Sequence, residues 1–132
     1  MAQKTVLLVE DDPDIRDIVQ DVLEAEGYDV VPASHGRQAL EFLSGARESE
    51  RPDLVILDMM MPLVDGRHVL EAIRNTQSRS SVPVVVMSAV AHEKPAGAAA
   101  FLRKPFSLDT LFDAVHTLVD ERLHSFAVPT TT

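Results

Sequence analysis

Hydrophobic residues along this chain fall into two alternating textures, short continuous runs and stripes at helical spacing. Residues 5–9 are continuously apolar and β-branched, as a strand buried on both faces requires. Asp12 followed by Pro13 reads as a helix N-cap with proline at the first helical position. Ile15, Ile18, Val19, Val22 and Leu23 then recur at helical spacing up to a stop at Gly27. Residues 28–31 predict a second strand, and 37–43 a short helix with Ala39, Leu40 and Leu43 inward. Pro52 introduces a third strand over 53–57, and Gly66 precedes a third helix presenting Val69, Leu70 and Ile73. Residues 83–87 predict a fourth strand and 99–102 a fifth. Leu108, Leu111, Phe112, Val115, Leu118 and Val119 mark a final amphipathic helix. Residues 128–132 carry no pattern and predict a frayed end.

This is βα repeated five times, which calls for a parallel sheet covered by helices on both faces. The predicted fold class is α/β: a (βα)5 doubly wound, flavodoxin-like three-layer sandwich with strand order 2-1-3-4-5. No repeat, low-complexity tract or linker interrupts the pattern. Residues 1–132 therefore predict a single domain, with a core of about 4–124 and a flexible tail at 125–132.

Composition narrows the function classes. With 45% hydrophobic and 25% charged residues the chain is ordinary for a globular protein. It lacks an apolar run of about 18 residues and a signal-peptide layout, which predicts a cytoplasmic protein with no membrane partner. The absence of cysteine excludes disulfides and thiolate chemistry. A formal charge of −9 argues against direct nucleic-acid binding and suits cations or basic protein surfaces.

The polar residues at the strand ends carry the candidate chemistry. In a doubly wound sheet, ligands bind beyond the carboxyl ends of the strands, at the switch point between the first and third. The first strand runs into Glu10, Asp11 and Asp12, the third into Asp58, the fourth into Ser88, and the fifth leads to Lys104. Carboxylates converging on one crevice either keep protons or share a cation. With oxygen ligands and no cysteine, that ion is hard: Mg²⁺, Mn²⁺ or Ca²⁺. A carboxylate nucleophile, a divalent metal and a lysine are the parts that phosphoryl transfer to aspartate needs. Acids at such a junction also serve as helix caps, and Asp12 fits that role equally well. Met59, Met60 and Met61 read as loop and core filler, and the scattered His35, His68, His92, His116 and His124 receive no catalytic role.

Glu10-Asp11-Asp12, Asp58, Met61-Pro62, Asp65-Gly66, Ser88-Ala89 and Lys104-Pro105-Phe106 together resemble the receiver domain of two-component response regulators. The resemblance spans roughly residues 4–124 and implies a phosphorylation-dependent signalling switch rather than a classical enzyme. Asp58 would accept a phosphoryl group from a histidine kinase or histidine phosphotransfer protein and change the binding of a downstream protein partner. Asp11 would ligate Mg²⁺ (or Mn²⁺) directly and Glu10 mainly through water, and the position of Arg16 favours this register. Asp58 and the backbone carbonyl of Met60 would complete the protein ligands. Ser88 and Lys104 would hold phosphoryl oxygens, Phe101 would turn inward as Ser88 moves, and the Lys104–Pro105 peptide would be cis.

Two departures from the family pattern stand out. Only residues 89–103 separate Ser88 from Lys104, and they include Pro95 and Gly97, so a shortened or missing fourth helix is expected. Met60 and Val90 are apolar where receivers influence the attacking water, which predicts slow autodephosphorylation. The chain is either a stand-alone receiver or a piece of a longer protein. The alternative function is a phosphorylation-independent interaction module, against which the intact Glu10, Asp11, Asp58, Ser88 and Lys104 argue. A haloacid-dehalogenase-like phosphatase would want an aspartate where Met60 stands. A nucleotide or flavin binder would want a phosphate loop where the three acids stand.

Overall fold

The computed structural model describes residues 4–45, 51–59, 66–75, 82–89 and 94–126, with 120–126 as backbone. The elements follow in the order β1 (Thr5–Val9), α1 (Pro13–Ala25), β2 (Asp29–Ala33), α2 (Gly36–Gly45), β3 (Leu54–Asp58), α3 (Gly66–Asn75), β4 (Val84–Ser88), β5 (Ala100–Arg103) and α4 (Leu108–Phe126). The five strands form one sheet in the order β2-β1-β3-β4-β5, and each pairing is parallel. This is the predicted doubly wound arrangement, with its switch point between β1 and β3.

Side-chain alternation divides the core into two layers. Val6, Leu8, Leu54, Ile56, Val85, Met87 and Leu102 pack with Val19 and Leu23 of α1 and Leu111, Val115 and Val119 of α4. On the opposite face, Leu7, Val9, Val55, Leu57, Val84 and Val86 pack with residues of α2 and α3 such as Leu43, Val69 and Ile73. The inner strands β1, β3 and β4 are buried on both faces, which explains their unbroken apolar runs. Burying each such Val, Leu or Ile contributes about 1.5–3 kcal/mol. The edge strand β2 differs, with Asp29 and Pro32 exposed.

The helix ends follow local chemistry. Asp12 caps α1, its side chain accepting from the N–H groups of Asp14 and Ile15, and Pro13 enters the first turn. At the other end Gly27 N–H returns to Glu24 O and Tyr28 N–H to Leu23 O, the pairing of a Schellman motif. The Ser107 hydroxyl accepts from Thr110 N–H at 3.1 Å at the start of α4.

Between β4 and β5 there is no helix among the described residues, in agreement with the expected shortening. Ala98 N–H donates to Pro95 O at 3.2 Å, closing a turn in which Gly97 has φ +91°. That value at the third turn position favours glycine. The side chain of Arg74, at the end of α3, lies across this glycine and donates to Val82 O.

Candidate functional site

The loop leaving β1 is built from backbone bonds that aim its acids inward. Glu10 N–H donates to Ala33 O at 3.0 Å, carrying the β1–β2 pairing one residue past the strand and burying the Glu10 side chain completely. Asp12 N–H donates to Glu10 Oε2 at 3.1 Å, while Asp12 Oδ1 caps α1. Arg16, in the first turns of α1, donates from Nη1 to the Glu10 carbonyl at 2.9 Å. Asp12 is thus occupied as the cap, and Glu10 and Asp11 face the cleft with Asp58.

Asp58 is the last residue of β3 and only 3% exposed. Met59 N–H donates to Met87 O at 3.0 Å, so the strand direction persists just beyond it. The start of α3 then presses against this point: Gly66 N–H donates to Met59 O at 3.2 Å. A Cβ on Gly66 would stand 2.5 Å from the Asp58 carbonyl oxygen and 2.6 Å from the Met59 Cα. Backbone cannot step aside as a side chain can, so the position demands glycine. The Asp65-Gly66 pair belongs to the receiver-like motif set and marks the helix start in the sequence, and this close approach is the physical reason for its glycine.

Lys104, just past β5, reaches back across the crevice. Its Nζ lies 2.9 Å from Glu10 Oε1 and 3.2 Å from Asp58 Oδ2. Its backbone N–H donates to Ser88 O at 2.9 Å, and the Lys104–Pro105 peptide is cis. Ser88 ends β4 and is buried. Phe101 is half-buried against the core layer shared with α2 and α3. The structure therefore brings Glu10, Asp11, Asp58, Ser88 and Lys104 to one end of the sheet, with Phe101 two strand positions before Arg103. Met60, Val90, Met61-Pro62 and Asp65 lie outside the described residues.

Charge in this pocket is out of balance. The Glu10 carboxyl is pushed up to about 7, chiefly by burial and also by neighbouring Asp58, against the hydrogen bonds from Lys104 and Asp12 N–H that pull it down. Burial also pulls the Lys104 ammonium down, but Glu10 and Asp58 together outweigh this and hold it above its ordinary value. Glu10, Asp11 and Asp58 each offer an oxygen, and these atoms lie within 4.8 Å of one another. One ammonium among three converging carboxylates leaves room for more positive charge. An all-oxygen donor set that includes an acid whose carboxylate form is disfavoured chiefly by burial fits a hard divalent cation.

Beside Lys104 opens an apolar groove of about 410 Å³, lined chiefly by Ile15, Ile18, Val19, Pro105, Phe106 and Leu108. Ile18 and Leu108, at 55% and 40% exposure, are the large hydrophobic side chains most open to solvent among the described residues. No helix among the described residues is long and apolar enough to cross a membrane.

Residues 6–116 match the response regulator receiver domain family, and the chain belongs to it. Sporulation initiation phosphotransferase F of Bacillus subtilis is 34% identical over 121 residues, covering 87% of this chain and 93% of that protein. Other relatives are longer: the chain spans 49% of the response regulator MprA of Mycolicibacterium vanbaalenii. The response regulator TrrA of Thermotoga maritima, solved in complex with Mg²⁺-BeF, is 32% identical with a TM-score of 0.75, over 88% of this chain and 99% of that one. The receiver domain of a Pseudomonas aeruginosa sensor histidine kinase, solved with a magnesium ion coordinated in the active site cleft, is 26% identical. Its TM-score is 0.80, over 90% of this chain and 99% of that one.

Proposed function

We propose that this receiver domain is a phosphorylation-dependent switch whose phosphoryl acceptor is Asp58. The observation that carries the reading is the Lys104 ammonium held at 2.9 Å from Glu10 and 3.2 Å from Asp58, at the mouth of an all-oxygen acidic cluster. An oxygen of Asp58 forms the new P–O bond as the P–N bond of a phosphohistidine breaks, and the imidazole nitrogen keeps the electron pair. The donor is a histidine kinase or a histidine phosphotransfer protein. The apolar groove beside Lys104 suits the apolar face of a helix on such a protein.

Asp11 and Asp58 are the direct protein ligands for Mg²⁺ or Mn²⁺ in this reading, with the Met60 carbonyl. Both Glu10 oxygens already accept hydrogen bonds, from Lys104 and from Asp12 N–H, which supports a role for Glu10 through an intervening water. The ion, when bound, supplies positive charge that offsets the carboxylates and the phosphoryl oxygens. Lys104 leaves its carboxylate partners to pair with a phosphoryl oxygen, and the Ser88 hydroxyl donates to another. Phosphorylation adds roughly −1.5 to −2 charges and three acceptor oxygens, enough to draw both residues toward Asp58. The space that Ser88 vacates admits the half-buried Phe101, which alters the surface offered to a downstream protein partner.

Intact mass after incubation with acetyl phosphate, with and without Mg²⁺, tests the reading. Wild type is expected to gain one phosphoryl group only with Mg²⁺, and Asp58→Asn none. A blank with both acetyl phosphate and a phosphorylated histidine protein would overturn it in favour of a phosphorylation-independent interaction module.

A further inference from the structure

The three carboxylates of the pocket are not held in place in the same way. Glu10 is fixed at both oxygens, by Lys104 and by Asp12 N–H. Asp58 sits inside a paired strand, opposite Met87. Asp11 follows the last strand residue of β1 by two positions, and its carboxylate accepts no hydrogen bond among the described residues. Its direction therefore rests on its backbone. The peptide that joins Glu10 to Asp11 is planar, so fixing its carbonyl fixes the plane from which the Asp11 Cα departs. The group that fixes that carbonyl is Arg16, whose Nη1 donates to Glu10 O at 2.9 Å from the first turns of α1. Arg16 is itself half-buried and anchored by its backbone N–H to Asp12 O at 2.9 Å.

We infer that Arg16 is a positioning residue for the cation site: it locks the Glu10–Asp11 peptide so that the Asp11 carboxylate converges with Glu10 and Asp58. This inference rests on the cation-binding reading of the pocket given above. It makes a prediction of unusual sign. A guanidinium near three carboxylates repels a divalent cation, so by charge alone its removal tightens cation binding. If Arg16 acts by positioning, its removal loosens binding instead, because the ligand set loses its preorganisation. Groups that orient metal ligands without touching the metal are worth roughly tenfold or more in affinity.

Calorimetric titration of Mg²⁺ into the full chain decides between the two. Arg16→Met, which keeps length but loses donor and charge, is expected to bind Mg²⁺ about tenfold more weakly than wild type. Arg16→Lys, which restores a donor of similar reach, is expected to recover most of that loss. A merely structural arginine would lower the thermal midpoint in both variants without this split in affinity. Equal or tighter binding by Arg16→Met overturns the inference. If Arg16→Met is unfolded at the titration temperature, Arg16→Leu, which likewise lacks donor and charge, takes its place with the same two outcomes. Wild type that binds Mg²⁺, weakened by Asp58→Asn but not by Arg16→Met, sinks the positioning role alone. Wild type that binds no Mg²⁺ sinks the cation reading and this inference with it.

Discussion

Two regions at opposite corners of the sheet solve different problems. At the carboxyl ends of β1 and β3, the protein gathers Glu10, Asp58 and Lys104 within hydrogen-bond reach, two of them buried acids. Ahead of β5, the described residues 95–98 form a short turn held by Gly97 and the side chain of Arg74. The first region is stable only as a set, because removing one charge leaves another buried without compensation. The second depends on one backbone conformation and one flexible side chain. Coupled charge suits a switch that must respond to a new anion; a locked turn suits a place that only has to close the chain.

The sharpest way to break this contrast is Gly66→Ala. Its Cβ would meet backbone at 2.5 and 2.6 Å, and the collision falls on the carbonyl of Asp58 itself. A loss of about 3 kcal/mol in denaturant unfolding is expected, together with weaker Mg²⁺ binding. Unchanged stability would mean that the α3 start yields more easily than its geometry allows.

Next in size is a pH effect confined to the charged corner. The Glu10 carboxyl loses its proton near its ordinary 4.5 when unfolded but near 7 when folded. The native state therefore binds more protons between those values, and this contribution to stability is complete below about 4.5 and lost as pH rises through 7. With a chelator present, the thermal midpoint is expected to fall from pH 5 to pH 7.5, by no more than the equivalent of roughly 3 kcal/mol. Millimolar Mg²⁺ is expected to flatten that slope, and a slope indifferent to Mg²⁺ would count against the charge imbalance.

The smallest effect belongs to the turn. Gly97→Ala places a side chain at φ +91° and 3.2 Å from Arg74 Cγ, a side-chain atom that can shift. A cost of about 1–2 kcal/mol is expected, with Mg²⁺ affinity untouched. Loss of cation binding in this variant would show that the two corners are coupled through β4.

The strands, their order and the short fourth-helix region were all legible in the sequence, because buried strands write themselves as apolar runs. Their ends were less so. Residues 53–57 and 83–87 predicted strands that in fact run to Asp58 and Ser88. Apolar patterning stops where polarity begins, but backbone pairing continues, joining Asp58 to Met87 and Ser88 to Arg103 in register. Tyr28 misled for a related reason. Its aromatic ring reads as strand, yet its N–H closes the end of α1 and its side chain packs in the α1–α4 layer.

At the site, the residue types and their strand-end positions were readable, including the cis Lys104–Pro105 peptide implied by family resemblance. The joint hold of Lys104 on Glu10 and Asp58 was not, nor was the bond from Arg16 to the Glu10 carbonyl. Lys104 and Glu10 lie 94 positions apart, and contacts of that kind exist only once the sheet is assembled. The press of Gly66 on Asp58 likewise depends on the angle at which α3 leaves its loop.

The exposed edge formed by β2 carries a consequence for the protein in a crowded solution. An open strand edge is a template on which a second chain can add, the first step toward fibrous aggregates. Here Pro32 lies on that edge, opposite Leu8 in register, and supplies no amide hydrogen to an incoming strand. Asp29 sets a negative charge at the same border. Together they act as gatekeepers, so the protein can accumulate while its sheet stays five strands wide.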